Sequence, residues 1–338
     1  MMAGAVTAWL LPPSQRRTLE DLTDDLDLTV GDAAAKRSAF WAMLALSAVI
    51  ATAGVLSDST ATVIGAMIIA PLSTPIMGVA LGLAKRDGRT TRRSSTFVAL
   101  GAALVVSIGV VFSFVVPSSY DLLANSQISG RTSPGLLDLI AAIATGFAGA
   151  IAFARRDVAA VLPGVAIAIS LVPPLAVVGV CLGQTAFALA LGALLLFVSN
   201  LVALVLAGTL VYAVLGYSEE SGLTAAGSRR KAYAALAGML VAVMIPLAVN
   251  TVVTLALSVW TQRVQQVSTA WIAEVPGSTL DSVTFTWPTV TVRVTTPGNV
   301  PNTQDLLTGL QGEVPQGVKV VVSTSVGQQI DAGTVGAS

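Results

Sequence analysis

From Val158 to Ser218 the chain carries no charged residue. A single helix crossing a bilayer uses about 20 apolar residues, so this run is too long for one span and must fold back on itself in lipid. Gly183-Gln184 is the natural place to divide it. The rest of the composition agrees: 54% of residues are hydrophobic and 11% charged, where a soluble domain carries about 25% charged residues. Eighteen basic and 18 acidic residues leave no basic footprint for nucleic acid. With no histidine and one cysteine, Cys181, the chain has no disulfide framework and no His-rich or Cys-rich zinc site.

The same reading gives about seven spans. They are Phe40–Leu56, Thr60–Ala84, Phe97–Val116, Leu136–Ala154, Val158–Leu182, Thr185–Val214 and Ala232–Trp260. Basic residues fall in alternate loops: Arg16, Arg17, Lys36 and Arg37 before the first span, Lys85 to Arg93 after the second, Arg155 and Arg156 after the fourth, Arg229 to Lys231 after the sixth. The positive-inside rule puts those loops and the amino terminus in the cytoplasm and the carboxyl terminus outside, in a multi-pass plasma-membrane protein. Arg131 and Arg263 are the exceptions on the other side.

Residues 1–38 form a cytoplasmic segment, 39–260 the transmembrane domain and 261–338 an extracytoplasmic α+β domain. Met1 to Leu11 lacks the basic start of a secretory signal. Thr18–Val30 is acidic, with Leu19, Leu22 and Leu26 at helical spacing; it reads as an amphipathic helix capped at Thr18-x-x-Asp21, or as a solvated acidic linker. In the last domain Val283, Phe285 and Trp287 alternate, then Val290, Val292 and Val294. Pro301–Gln311 is helix-like, and Val318–Val322 is a third strand.

An internal repeat shapes the functional reading. Asp58, Gly65, Leu72 and Pro75 recur as Asp157, Gly164, Leu171 and Pro174, shifted by 99 positions (157 − 58 = 99). The two copies enter the membrane from opposite sides, so the fold class expected is an all-α polytopic bundle with a 3+3 inverted repeat plus one helix. Prolines inside a span free carbonyls, which is tolerated where backbone is buried in protein or lines a wet cavity. Pro71 and Pro75, with Ser73 and Thr74, break the second span; Pro173 and Pro174, with Ser170 before them, break the fifth. Paired breaks of this kind point to an ion or substrate site, against the plainer alternative of two repaired kinks. Asn200, beside Ser199, is a further candidate facing the pathway, while Asn250 reads as an amide joining helices. Asp58 and Asp157 read as N-caps or as entrance ligands for a cation. Gly78, Gly82, Gly179 and Gly183 read as helix-packing positions.

The segment Asp58–Asp87, DSTATVIGAMIIAPLSTPIMGVALGLAKRD, resembles the signature of a bacterial membrane family catalogued as domain of unknown function 389. The resemblance runs from about Phe40 to Val180, more weakly to the sixth span. It implies a bacterial plasma membrane and brings no substrate with it. In topology alone the layout is similar to the trimeric intracellular cation channels.

Two functions compete. The first is a carrier or channel for a small ion or solute, with its site at the two breaks. No cofactor is implied beyond a monovalent ion that hydroxyls, amides and carbonyls could hold. The second is a sensor or scaffold that signals through the outer domain. An intramembrane enzyme would need buried carboxylates, a nucleophile–base pair or a metal, and none is visible in the sequence. The expected partners are the lipid bilayer, the transported ion or solute, and further copies of the chain in a dimer or trimer.

Overall fold

The computed structural model describes residues 12, 14–115, 117, 120–158, 171–217, 226–286, 289–298, 300–315 and 317–326. The chain divides by its contacts into Met1–Asn250 and Thr251–Ser338. The sequence boundary at 260 falls ten residues later; both lie within helix α10, Ala226–Ile272.

The first unit opens with α1, Leu19–Leu26, capped as its sequence predicts. The Asp21 N–H donates to the Thr18 hydroxyl (3.1 Å), and the Thr18 N–H to the Asp21 carboxylate (3.3 Å). Its leucine stripe is used: Leu22 and Leu26 are buried, and α1 packs on α4, Ser73–Lys85. Gly78 permits this, since a Cβ there would stand 2.6 Å from the Leu26 carbonyl and 2.7 Å from the Ser94 hydroxyl. Ion pairs Arg17–Asp25, Lys36–Asp24 and Arg156–Asp21 tie α1 to the basic segments around it.

Among the described residues, four helices are long and apolar enough to cross a membrane: α2, Ala33–Leu56; α5, Gly88–Ser113; α7, Leu136–Ala154; and α9, Phe187–Val214. Helices α3, Thr60–Ile69, and α4 together are long and apolar enough for one more span, broken by a 51° bend at Ala70–Leu72 into either a bent span or a re-entrant loop. Between α5 and α7 lies the short α6, Ser126–Thr132, which holds Arg131. The shorter apolar helix α8, Val172–Gly183, precedes α9. Ser170, Gly164 and the rest of the expected fifth span from 159 to 170, like Met1–Leu11, Trp287 and Pro288, lie outside the described residues.

Small residues set the packing. In lipid, helices attract one another through close contact rather than through expulsion of water. Helix α8 packs on α5 and α9, α4 on α5 and α9, α2 on α5, and α7 on α9. A Cβ on Gly109 of α5 would stand 2.7 Å from the Ala176 carbonyl and 2.9 Å from Gly179 Cα. One on Gly208 of α9 would stand 2.8 Å from Ala80 and 3.2 Å from Met77. Gly82 and Gly183 press against Thr91 and Ser113 of α5 in the same way. Trp41 packs with Phe40 and Phe97.

The second unit is a small α+β fold. Strands β1, Thr279–Thr286, and β2, Thr289–Thr296, pair antiparallel, and β3, Lys319–Val326, joins β2 in parallel after helix α11, Thr303–Gly309. A parallel partner needs such a crossover. Val290, Val292 and Val294 face inward and pack with Val264, Trp271 and Ile272 of α10 and with Leu306 of α11.

Candidate functional site

The first break is a local repair made by proline chemistry. Pro71 has no N–H to give the Met67 carbonyl, so the Ala70 N–H turns back to it (3.4 Å). That releases the Ala66 carbonyl, which accepts the hydroxyl of Ser47 from α2 (2.8 Å). Ser73 and Thr74 begin α4 half-buried, and their hydroxyls make no hydrogen bond among the described residues. Pro75 occupies the third position of α4, where a missing N–H costs little.

Pro173 and Pro174 likewise occupy the second and third positions of α8. They leave Val172 as the one N–H donor in those first three positions. The helix start therefore lacks the cluster of N–H groups that holds anions at helix termini.

Beside Pro174 is a cavity of about 320 Å³. Polar groups enter it from three helices: Arg131 from α6, Asp138 and Thr145 from α7, and Asn200 from α9. Asp138 is in the first turn of α7, and Asn200 stands halfway along the 28 residues of α9. The cavity thus runs from one end of the bundle to mid-depth. Its deep wall is apolar, with Leu196 and Leu204. The amide oxygen of Asn200 is shut off from solvent with no hydrogen-bond partner among the described residues, and the Thr145 hydroxyl has none either. A buried, unpaired amide is costly and calls for an explanation.

Arg131 is held by a relay that begins at Asp58. Ser59, not Asp58, caps α3, accepting the Thr62 N–H (3.3 Å). Asp58 instead adopts a positive φ of 51° and turns its carboxylate to the start of α6. There it accepts the Ser126 hydroxyl (2.7 Å) and the Gln127 N–H (3.1 Å). These bonds, the Ser126 hydroxyl first, hold its pKa below the ordinary 3.8 against the opposing effect of burial. The Gln127 amide donates to the Thr60 hydroxyl (2.8 Å). Its side-chain and backbone oxygens accept the Arg131 guanidinium at 3.0 and 2.7 Å. No carboxylate among the described residues pairs with Arg131, and loss of water pulls its pKa below the usual guanidinium value.

The structure brings together Pro174 and Asn200 of the sequence candidates. Pro71, Ser73, Thr74 and Pro75 do not line this cavity, and Asp58 reaches it only through Gln127 and Arg131. Asp157 is bound to Arg155 at 2.9 and 2.5 Å, which lowers its pKa. Asn250 donates to the carbonyl of Pro134 (2.6 Å), in the connection between α6 and α7, so it ties α10 to a turn rather than to another helix. Arg131, Asp138 and Thr145 are additions. Arg131 was visible in the sequence as the one basic residue in the loop before the fourth span.

Residues 67–206 match the family described as Domain of unknown function (DUF389), the family that Asp58–Asp87 resembles. An uncharacterized protein of Methanocaldococcus jannaschii is 31% identical over 176 residues, covering 52% of this chain and 54% of its own length. The chain thus spans about half the length of that curated relative. Since the relative is archaeal, the resemblance carries no bacterial assignment. No solved structure matches.

Proposed function

From a chain whose residues 67–206 match a family of unknown function, we propose a membrane transport protein, a carrier or channel for a small solute, with its substrate site in the Arg131–Asn200 cavity. The observation that carries this reading is the cavity itself. It reaches mid-depth, ends at a proline-initiated helix and holds an amide oxygen with no partner among the described residues. Interrupted helices at the midplane are where transporters build their sites.

The finer architecture belongs to the same proposal. It has seven spans, with residues 158–182 as the fifth and Ala232–Trp260 as the seventh, and a cytoplasmic amino terminus. Its first six spans form an inverted repeat, which the glycine contacts support. Gly109 meets Ala176 and Gly179, and Gly208 meets Met77 and Ala80. Each residue of one set lies 99 positions from its counterpart (208 − 109, 176 − 77 and 179 − 80), the offset of the sequence motif. In that orientation the cavity opens to the outside. The sensor reading has less support, because the apolar face of α1 is occupied by α4 and three of its carboxylates are already paired.

The test is flux in liposomes holding the purified protein, with K⁺, Na⁺ and Cl⁻ gradients and labelled small solutes. Asn200→Leu, which fills the deep end, should cut wild-type flux roughly tenfold or more, the value of about 1.4 kcal/mol. Wild-type rates in a folded Asn200→Leu protein would remove the cavity from the pathway.

A further inference from the structure

We propose that the Arg131–Asn200 cavity binds a small zwitterion of the α-amino acid class. The proposal rests on the reading of that cavity as the substrate site and adds the chemistry of the ligand.

Two opposite charges line one cavity without pairing with each other. Arg131 uses one guanidinium nitrogen on both oxygens of Gln127, and its other donors meet no partner among the described residues. Guanidinium stays protonated at any physiological pH. A half-buried cation with no counter-ion is a cost to the fold, and an oxyanion would offset it with two parallel hydrogen bonds. Asp138 accepts the Gly135 N–H on one oxygen (2.8 Å), and its other oxygen has no partner among the described residues. It is exposed and can receive a cationic group.

Elimination narrows the ligand. A simple anion drawn to Arg131 would face the Asp138 carboxylate in the same space, and a simple cation would face Arg131. The start of α8 gives an anion no help, because prolines remove two of its first three donors. A molecule bearing both charges meets neither repulsion. Past the charged end, Ala142, Leu196 and Leu204 suit a short apolar side chain, while Thr145 and Asn200 can hydrogen-bond to the ligand. A volume of about 320 Å³ lies at the low end of the roughly 300–1,000 Å³ of small-molecule pockets, so the ligand is small.

The experiment is equilibrium binding of labelled alanine to the full-length protein in nanodiscs, with competition by acetate, methylamine and glycerophosphoethanolamine. Alanine should saturate one site, and acetate and methylamine should compete at least about tenfold more weakly, since each makes only one of two charge-assisted contacts. Arg131→Gln and Asp138→Asn should each weaken alanine binding roughly tenfold or more. The unfolding midpoint of each variant is measured in parallel, so that lost binding counts only in folded protein. Absence of alanine binding to the wild type, or unchanged binding in both folded variants, overturns the proposal. Acetate binding as tightly as alanine overturns it in favour of an anion site. Glycerophosphoethanolamine binding more tightly than alanine overturns it in favour of a lipid headgroup. Ion flux without alanine binding sinks this inference and spares the transport reading. Alanine binding without uptake keeps the site and sinks the transport reading.

Discussion

At the residue scale, the consequential side chains are those that answer for a neighbour's missing bond. Ser47 is fully buried, and its hydroxyl occupies a carbonyl released by a proline elsewhere in the chain. Ser47→Ala should therefore destabilise the protein by about 1–3 kcal/mol, the cost of an unsatisfied buried acceptor, measured by thermal unfolding in detergent. Ser47→Thr, which keeps the hydroxyl, should lose less, and equal losses would argue that packing dominates. Asp58 gives a prediction in pH. Its folded pKa lies below 3.8, so its bonds to α6 stabilise the fold fully above that value and are lost as pH falls through the folded pKa. Unfolding midpoints taken from about pH 6 to about pH 3 should fall more in the wild type than in Asp58→Asn, which has no carboxylate to protonate. Neither role could be read from the sequence. Each depends on which helix end a long-range fold brings near, and a serine or aspartate satisfies many local patterns equally well.

At the element scale, what was legible followed from backbone chemistry. Pro71 and Pro75 predict a break in the second span, and α3 and α4 meet there at 51°. The leucine stripe and capping residues of α1 predict a helix, and it forms. The short α6 was not legible, because Ser126–Thr132 has no apolar periodicity and is held by Asn125 and Asp58 from outside the helix. The glycines divide into two kinds that sequence cannot separate. A Cβ on Gly179 would overlap the Val106 carbonyl and stand 2.7 Å from Gly109 Cα and 2.9 Å from Val110 N, all backbone atoms of α5 with no flexible side chain to give. Gly65, part of the repeated motif, has nothing within 4 Å. Gly179→Ala should lower stability by roughly 1–3 kcal/mol through overpacking. Gly65→Ala should raise it by as much as about 1 kcal/mol through helix propensity. Opposite shifts in the two unfolding midpoints check the assignment; a loss at Gly65 would mean that its surface is covered by something other than this chain's described residues.

At the scale of the whole molecule, the apolar spans and the α+β unit were written in hydropathy and strand alternation, but the cavity was not, because it depends on two related places being filled differently. Gly101 lies 99 positions before Asn200 (200 − 101). A Cβ on it would stand 3.0 Å from Leu44 and Leu72 and 3.6 Å from Phe40. The place occupied by a cavity beside α9 is thus filled by side chains beside α5. If the two halves are inverted copies, an open site toward one side and a closed equivalent toward the other are the two ends of an alternating-access cycle. That gives a prediction about sidedness. In a Cys181→Ala background, a membrane-impermeant maleimide should label Asn200→Cys from the side opposite the basic loops. It should label Gly101→Cys only from the basic side, and more slowly, because that site must first open. Labelling of both from one side would sink the inverted arrangement. Labelling of Asn200→Cys alone would leave a cavity that never exchanges, as in a channel or receptor rather than a carrier.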